Sequence, residues 1–281
     1  MTTTAILFPG QGSQTPDMRD DVERIRPDLL ALAIECVGED PFSRVEDGTR
    51  FAQPAIFCAS LAGWEVLGRP EADYMAGHSL GELAALVAAG VMSERSGLEL
   101  VALRGRLMQA SGEEAGDGGM IAILGAGAAD HAEEIATSHG LAVANDNSPQ
   151  QVVLSGSRDA FEGASEAARE LGLRPIELPV TGAFHSPMMA GAVPEFQAAL
   201  ARAELTPGPA LAVTVISAVT AKPFDDVRRR LAEALTNPVR WRESVLAMHE
   251  RGARRFVEVG PGKVLTGLVK RTVRDVELVN A

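Results

Sequence analysis

The sequence predicts an α/β fold with a largely parallel sheet and a small inserted domain, and three observations support this prediction. Strand-like apolar runs alternate with helical patterns at both ends of the 281-residue chain. In the middle of the chain the order differs, because two strands follow one another between two helices. A serine flanked by glycines also lies between a strand-like run and an alanine-rich helix.

The elements before residue 117 alternate between strand and helix. In order, they are a strand at Ala5 to Phe8, a helix at Ala55 to Leu67, a strand at Asp73 to Ala76 and a helix at Leu98 to Met108. The stretch from Ser111 to Gly119 is polar and glycine-rich, which indicates a linker. We therefore predict a discontinuous α/β domain of residues 1–116 and 186–281, with residues 117–185 inserted into it as a small domain.

The inserted domain has the order strand, helix, strand, strand, helix, strand, which is typical of a ferredoxin-like unit. Its elements are Met120 to Leu124, Ala128 to Ser138, Leu141 to Ala144, Val152 to Ser155, Asp159 to Leu171 and Pro175 to Leu178. The α/β pattern then resumes with a helix at Ala192 to Ala203, a strand at Val213 to Ala218, a helix at Arg228 to Leu235 and a strand at Arg255 to Val259. Clefts between domains are common ligand sites, so we expect the functional site there.

Composition and charge exclude several classes of protein. No apolar run approaches the ~20 residues that a membrane helix needs, and the N-terminus lacks the basic start of a secretion signal. We therefore expect a cytoplasmic protein without a membrane partner. The formal net charge of -12 argues against nucleic acid as a partner. Two local basic groups, Arg228-Arg229-Arg230 and Lys270-Arg271 with Arg274, could still attract an anion.

The segment Gly77-His78-Ser79-Leu80-Gly81 is a GxSxG motif in the strand-turn-helix setting of a hydrolase-like α/β core. The glycines leave room where side chains would collide on so tight a turn. The Ser79 hydroxyl would lie at a helix N-terminus, where free N–H groups favour developing negative charge. Ser79 is therefore the candidate nucleophile and the Leu80 N–H the first oxyanion donor, with a plain glycine-rich turn as the alternative interpretation.

A serine nucleophile needs a base within hydrogen-bond reach, and His185 is the candidate among five histidines. His185 lies in a predicted loop where the chain leaves the small domain, and hence beside the cleft. His78 adjoins the serine, but neighbouring side chains on such a turn point apart. His131, His139 and His249 are expected to be solvated.

The phase of the helix at Leu98 to Met108 directs Arg104 away from water. Glu99 and Arg106 share the wet face, whereas Arg104 points toward apolar neighbours. A buried cation must meet an anion, because an uncompensated charge there is costly. That anion is either an internal acid such as Glu82 or the substrate.

Several segments together resemble the malonyl-CoA:acyl-carrier-protein transacylase family, in the family's order from residue 5 to about 271. They are Phe8-Pro9-Gly10-Gln11-Gly12-Ser13-Gln14, Gly77 to Glu82, Leu103 to Arg106, Ala144-Asn145-Asp146-Asn147-Ser148-Pro149, Gly182-Ala183-Phe184-His185-Ser186, Asn237-Pro238-Val239-Arg240-Trp241 and Val259 to Leu265.

The resemblance implies an enzyme that carries malonyl from malonyl-CoA to the phosphopantetheine thiol of an acyl carrier protein, through an ester on Ser79 with His185 as base. It implies backbone N–H groups of Gln11 and Leu80 as the oxyanion hole, and Arg104 as the ligand of the malonyl carboxylate. Three further residues match family positions: Gln53, Phe184 and Asn145. The residue that corresponds to Gln53 lies near the acyl pocket in the family, and phenylalanine before the histidine is similar to the pattern of malonyl-selective members. We assign these three residues to substrate binding.

Departures from the family's pattern and rival functions stay open at this point. Ala234, Ala218 and Leu83 stand where members often have glutamine, asparagine and tyrosine. The backbone carbonyl of Ala234 could still orient the histidine, as the family's residue does. Fatty-acid synthesis is the expected pathway, with a polyketide synthase or a malonate decarboxylase system as alternatives.

Two other functions are compatible with the GxSxG motif: one with different chemistry and one without catalysis. A serine thioesterase or hydrolase shares GxSxG but needs an acid to orient its histidine, and Asp146 and Asp159 are the nearest candidates. A non-catalytic docking subunit is the second rival. We expect a monomer that needs no metal and no cofactor, because coenzyme A enters only as the substrate thioester.

Overall fold

The computed structural model describes residues 2–206 and 213–280. Met1, residues 207–212 and Ala281 lie outside this description. The first residue of the predicted range 1–116 and the last residue of the predicted range 186–281 are therefore not described. None of the described helices is long and apolar enough to cross a membrane.

The helices and strands follow the chain in three groups. The first group is β1 (Thr4–Phe8), α1 (Met18–Ile25), α2 (Pro27–Val37), α3 (Thr49–Val66), β2 (Tyr74–Gly77), α4 (Gly81–Ala88) and α5 (Glu94–Ala115). The second is β3 (Gly118–Leu124), α6 (Ala128–Ser138), β4 (Ala142–Ser148), β5 (Gln151–Ser157), α7 (Phe161–Glu170) and β6 (Arg174–Glu177). The third is α8 (Val193–Arg202), β7 (Thr214–Ser217), β8 (Lys222–Pro223), α9 (Val227–Glu233), α10 (Trp241–Glu250), β9 (Arg255–Glu258), α11 (Val264–Thr272) and β10 (Glu277–Asn280). Short 3-10 helices lie at Pro41–Asp47, Arg158–Ala160 and Pro187–Ala192.

The larger sheet has the strand order β10-β9-β1-β2-β7-β8. Its first five strands are parallel, and only β8 runs antiparallel to its neighbour. Side chains of β1 alternate between two cores, because successive strand residues point to opposite faces. Ile6 and Phe8 enter the core that α3, α4 and α5 cover, whereas Ala5 and Leu7 pack with Trp241 of α10. Helices therefore cover both faces, which confirms the predicted α/β class.

The smaller sheet is antiparallel with the order β4-β5-β3-β6. This is the strand order of a ferredoxin-like unit built from strand, helix, strand, strand, helix, strand, which confirms the predicted architecture. Ile121 and Ile123 of β3 pack under α6 and α7, while Met120 and Ala122 of the same strand enter the core of the larger domain. The central strand β3 is thus buried on both faces of the small sheet. The domain bounds at residues 117 and 185 stay a prediction.

The predicted linker at residues 111–119 is wrong. Helix α5 continues to Ala115, Gly116 caps it with φ 76°, and β3 begins two residues later at Gly118. Gly112 is a packing residue, because a Cβ there would lie 2.7 Å from the Thr181 carbonyl oxygen. Gly112 and Gly118 therefore permit close contact between backbones, and Gly116 ends the helix, so the stretch does not form a flexible connection.

The turn between β2 and α4 is packed too closely to admit side chains at its glycines. A Cβ on Gly77 would lie 1.9 Å from the Gly81 carbonyl carbon, and a Cβ on Gly81 would lie 2.2 Å from the Phe8 carbonyl oxygen. Real Cβ atoms do not approach backbone so closely. The end of β1, the end of β2 and the start of α4 therefore meet at one point, where Ser79 lies.

Replacing Gly77 with alanine should lower the free energy of unfolding by about 3 kcal/mol or more, because backbone atoms would have to move apart. Gly267→Ala is the matched control. Gly267 lies inside α11 and no described heavy atom comes within 4 Å of an added Cβ, so we expect a gain of roughly 0.5–1 kcal/mol from helix propensity. Urea unfolding of both variants measures the difference. Equal stabilities of the Gly77→Ala variant and the wild type would contradict this account of the turn.

Candidate active site

Ser79 lies on the sharp turn between β2 and α4 with a left-handed backbone, φ 54°. A left-handed conformation is unfavourable for a residue with a side chain, and such strain is concentrated at functional sites. The strain is held in place by the packing of Gly77 and Gly81 described above. The turn therefore presents the Ser79 hydroxyl at the N-terminal end of α4, as the sequence predicted.

His185 is in direct contact with Ser79. The serine hydroxyl donates to His185 Nε2 at 2.8 Å, and His185 Nδ1–H donates to the Ala234 carbonyl oxygen at 2.8 Å. A carbonyl can only accept, so the second bond fixes the tautomer that leaves Nε2 free to take a proton. Ala234 therefore performs the orienting role through its backbone, although its side chain departs from the family's pattern.

The loop that carries His185 is held by local hydrogen bonds and by packing. Ser186 Oγ donates to the Ala183 carbonyl oxygen at 2.6 Å and accepts from the Met188 N–H at 3.2 Å. His185 itself has φ 57°, so both partners of the serine–histidine pair have left-handed backbones. Only 5% of the His185 surface is exposed.

The two carboxylates considered for a hydrolase triad do not contact His185. Asp146 accepts three hydrogen bonds from the Arg242 guanidinium, at 2.8, 3.0 and 2.8 Å. Asp159 is exposed on the surface of the small domain. The histidine is therefore oriented by a neutral carbonyl, and the third member of a hydrolase triad is not found at the predicted acids.

Arg104 is buried beside the nucleophile, with 3% of its surface exposed. Its Nη2 donates to Ser79 Oγ at 3.0 Å, and its Nη1 donates to Gln53 Oε1 at 2.7 Å. Within residues 2–206 and 213–280, no carboxylate lies within 4.0 Å of the guanidinium. Glu82, the internal acid considered above, instead accepts from the Ala218 N–H at 2.7 Å. Helix phasing correctly predicted that Arg104 is buried while Glu99 and Arg106 are exposed.

Burial and the positive charge of Arg104 shift the titration of the site. Burial and, less strongly, the nearby Arg104 cation lower the pKa of His185 to about 3. Burial also lowers the pKa of Arg104 to about 10, so the guanidinium remains charged at neutral pH. Burial raises the pKa of Glu82 to about 7 against the effects of its hydrogen bonds and of Arg104. The imidazole is therefore neutral at physiological pH, as a general base must be.

One cleft contains most of the predicted site residues. Gln11, Gln53, Leu80, Asn145 and Phe184 all line the cavity into which Ser79, Arg104 and His185 project. Asn145 lies on β4 of the small sheet and Phe184 directly precedes the histidine, so the cleft runs between the two domains. The structure thus brings together every residue that the sequence nominated for catalysis, oxyanion binding and substrate binding.

The two predicted oxyanion donors face the cleft with available N–H groups. In the described part of the chain, neither the Gln11 N–H nor the Leu80 N–H donates to another protein atom. Gly10 holds the Gln11 loop close to the turn, because a Cβ there would lie 2.6 Å from the His78 carbonyl oxygen. The role of these two N–H groups as the oxyanion hole stays a prediction from the family resemblance.

Two contributors to the site carried no clear signal in the sequence. Thr49, the first residue of α3, lines the cleft and donates to the Gln11 side-chain oxygen at 2.8 Å. His78 forms a 2.8 Å hydrogen bond between Nε2 and Asn147 Oδ1 on β4, which ties the nucleophile turn to the small sheet. A threonine that starts a helix is an ordinary feature, and only the fold shows what lies opposite it.

The basic segment Arg228-Arg229-Arg230 is not a free positive patch. Arg229 and Arg230 pair with Asp225, and Arg230 also pairs with Glu233. Arg228 donates to backbone carbonyls of residues 200 and 203. Lys270, Arg271 and Arg274, in contrast, are exposed near the end of α11. No three His, Cys, Asp or Glu side chains among the described residues are grouped as a metal site.

A strained serine that is hydrogen-bonded to a histidine, at the carboxyl end of a central strand of a parallel sheet, is the arrangement found in the class of α/β enzymes that form an ester on a serine. The chain matches the model of the acyl transferase domain over residues 35–281. It is 41% identical, over 95% of its length, to the polyketide biosynthesis protein ThaF of Burkholderia thailandensis, of which it spans only 24%.

Two further relatives match the chain over nearly their full length. The malonyl CoA-acyl carrier protein transacylase of Escherichia coli strain K12 is 39% identical, with 97% of this chain and 94% of that protein covered. The crystal structure of the malonyl-CoA:acyl carrier protein transacylase from Xanthomonas oryzae pv. oryzae matches with a TM-score of 0.89 at 36% identity, covering 100% and 95% of the two chains. This chain therefore belongs to the acyl transferase family, within its malonyl-CoA:acyl-carrier-protein transacylases.

Acylation of Ser79 should persist at mildly acidic pH, because the pKa of His185 in the folded free enzyme lies near 3. We expect the acylation rate at limiting malonyl-CoA, which reports the groups of the free enzyme, to change by less than about twofold between pH 7 and pH 5. With an ordinary histidine pKa of about 6.5, the rate would fall about twenty-fivefold over the same range. Rapid-quench intact-mass measurement of the acyl-enzyme gives the rate.

The control variant for this pH profile is Arg104→Gln, with its own rate at pH 7 as the reference. Removal of the cation should raise the pKa of His185, so the acylation rate should begin to fall at a pH closer to neutral. Folding is monitored in parallel: an unfolded histidine binds protons below about pH 6.5, so the contribution of His185 to stability declines as pH falls from there toward 3. A tenfold loss of wild-type rate per pH unit below 6.5, with the protein still folded, would contradict a depressed His185 pKa.

Proposed function

We propose that this protein transfers malonyl from malonyl-CoA to the phosphopantetheine thiol of an acyl carrier protein, through a malonyl ester on Ser79. The names of the Escherichia coli and Xanthomonas oryzae relatives support the donor and the acceptor. The contacts of Ser79, His185 and Arg104 support the chemical steps.

The observation that carries the proposal is the buried Arg104 cation at 3.0 Å from the nucleophilic oxygen. In a malonyl thioester, the free carboxylate is one methylene away from the carbonyl carbon that the serine attacks. A cation that binds this carboxylate must therefore lie next to the nucleophile. A planar guanidinium binds a carboxylate through two parallel hydrogen bonds, which would also orient the thioester carbonyl.

In the first half of the reaction, His185 Nε2 takes the Ser79 proton while the serine oxygen attacks the thioester carbonyl. The developing oxyanion accepts hydrogen bonds from the N–H groups of Gln11 and Leu80. The imidazolium then gives its proton to the sulfur as the carbon–sulfur bond breaks and coenzyme A leaves. The Ala234 carbonyl keeps the imidazole in the required tautomer throughout.

In the second half, the phosphopantetheine thiol of the carrier protein enters the same cleft. His185 takes the thiol proton, and the sulfur attacks the ester carbonyl. The carbon–oxygen bond then breaks and Ser79 regains its proton from His185, which leaves malonyl on the carrier protein. Each half reaction uses one base and one oxyanion site, so coenzyme A and the carrier protein exchange by a ping-pong scheme.

The serine hydrolase alternative is not favoured. His185 is oriented by a backbone carbonyl, whereas hydrolases of this type use a carboxylate, and both predicted acids are engaged or exposed elsewhere. A docking subunit without catalysis would not need the strained Ser79 with its base. We propose fatty-acid synthesis as the pathway.

A polyketide system is the second candidate pathway, favoured by the 41% identity to ThaF, and a malonate decarboxylase system is the third. Transfer rates to a fatty-acid carrier protein and to a polyketide carrier domain, compared at equal concentration, distinguish the first two. The proposal further includes a cytoplasmic monomer without a nucleic-acid partner, metal or bound cofactor. Sedimentation velocity tests the monomer.

Intact mass spectrometry tests the covalent intermediate. Wild type mixed with malonyl-CoA should gain the mass of one malonyl group and lose it when phosphopantetheinylated carrier protein is added. The Ser79→Ala variant should gain nothing, because its side chain has no hydroxyl to acylate. Release of free malonate at the rate of coenzyme A release, without stimulation by carrier protein, would support a hydrolase and contradict the proposed transferase activity.

Replacing Arg104 with alanine should reduce malonyl transfer at least about tenfold more than acetyl transfer. Only the malonyl carboxylate needs the cation, and loss of a charged hydrogen bond costs roughly 1.5–3 kcal/mol. Arg106→Ala is the matched control on the same helix, since Arg106 is exposed and pairs with Glu195 at the surface. Acylation rates with malonyl-CoA and acetyl-CoA give the ratio. Equal losses with both donors would remove Arg104 from carboxylate binding.

A further inference from the structure

A continuous series of hydrogen bonds joins the Gln11 loop to the nucleophile. Thr49 Oγ1 donates to Gln11 Oε1 at 2.8 Å and accepts from Gln53 Nε2 at 2.8 Å. Gln53 Oε1 accepts from Arg104 Nη1 at 2.7 Å, and Arg104 Nη2 donates to Ser79 Oγ at 3.0 Å. Thr49 is the only hydroxyl in this series apart from Ser79.

The orientation of the Gln53 amide decides whether Arg104 is supported. A glutamine amide has an accepting oxygen at one end and a donating NH₂ at the other, and the two ends have nearly the same shape. With the oxygen toward Arg104, the guanidinium gains a buried acceptor. With the NH₂ toward Arg104, two donors would face each other inside the protein, which is costly. An acceptor at the opposite end of the amide favours the same orientation, because it binds the NH₂ and leaves the oxygen for Arg104.

Thr49 is this acceptor because its own proton is already committed. Gln11 Oε1 can only accept, so the Thr49 proton points to Gln11 and a lone pair points to Gln53. The second contact of Gln53 Nε2 is Met108 Sδ at 3.4 Å, and a thioether is a weak acceptor. The threonine hydroxyl is thus the strong acceptor that holds the NH₂ end away from Arg104.

The backbone of Thr49 is fixed against the helix that carries Arg104. A Cβ on Gly105 would lie 2.7 Å from the Thr49 carbonyl oxygen, so the start of α3 and the middle of α5 touch there. Thr49 is 2% exposed and Gln53 is equally buried. The packing of α3 against α5 therefore fixes the positions of Thr49 and Gln53 relative to Arg104.

We propose that Thr49 is a positioning residue that orients the Gln53 amide and thereby sets the preference of Arg104 for a malonyl over an uncharged acyl group. This inference rests on the proposed malonyl transfer. Through Gln11, Thr49 also holds the loop whose N–H would serve the oxyanion, and that contribution is common to all acyl donors. The ratio of malonyl to acetyl acylation therefore isolates the effect that passes through Gln53 and Arg104.

The matched variants for the test are Thr49→Val and Thr49→Ser. Valine keeps the shape of threonine without a hydroxyl, whereas serine keeps the hydroxyl. We expect Thr49→Val to lower the malonyl-to-acetyl ratio of acylation rates by about tenfold, the cost of one buried hydrogen-bond mismatch, and Thr49→Ser to restore most of that ratio. Thermal unfolding is measured for each variant. If the valine variant does not fold, Thr49→Ala replaces it in the same comparison.

A second pair of variants separates orientation of the amide from simple packing. In a Gln53→Leu background there is no amide to orient, so adding Thr49→Val should leave the malonyl-to-acetyl ratio within about twofold. An equal drop in both backgrounds would overturn the role of Thr49 through Gln53. So would an unchanged ratio in folded Thr49→Val, even if both rates fell together. Failure of the wild type to form a malonyl ester at all would instead overturn the proposed function.

Discussion

The close packing of three backbone segments is the constraint on which the active site depends. The end of β1, the end of β2 and the start of α4 approach so closely that Gly10, Gly77 and Gly81 cannot carry a Cβ without displacing backbone. This contact holds Ser79 in a left-handed conformation and brings the Gln11 and Leu80 N–H groups to the same cleft. The stability of the sheet thus maintains a turn that is locally unfavourable.

The electrostatics of the cleft are arranged for an incoming anion. Arg104 is buried at the cost of its hydration, and Glu82, the internal acid considered as its partner, accepts from the Ala218 N–H instead. The same cation lowers the pKa of His185. A bound substrate carboxylate would compensate Arg104 and thereby increase the basicity of His185 at the moment when the base is needed. Substrate charge and base strength are therefore coupled through one guanidinium.

The sequence revealed the chemistry more completely than the secondary structure. GxSxG, a histidine in a loop and the helical phase of Arg104 are local patterns, and the structure places all three residues in contact. Helices α1 and α2 were not predicted. In α1, five of the eight residues are charged, whereas α2 is mostly apolar and only 11 residues long, although Pro27 and Gly38 mark its limits. In the supposed linker, Gly112 and Gly118 proved to be packing residues and Gly116 a helix cap, and Thr49 depends on contacts between segments distant in sequence. Both facts require the folded backbone.

Orientation of the histidine by the Ala234 carbonyl has a consequence for how this enzyme tolerates genetic change. Every amino acid supplies the same peptide oxygen, so no replacement of the side chain at this position can delete the acceptor. The vulnerable property is the path of the main chain, since a one-residue insertion or deletion between α9 and Pro238 would move that oxygen by several ångströms. Substitution of the residue is thus tolerated at this position, whereas a change in the length of the loop is not.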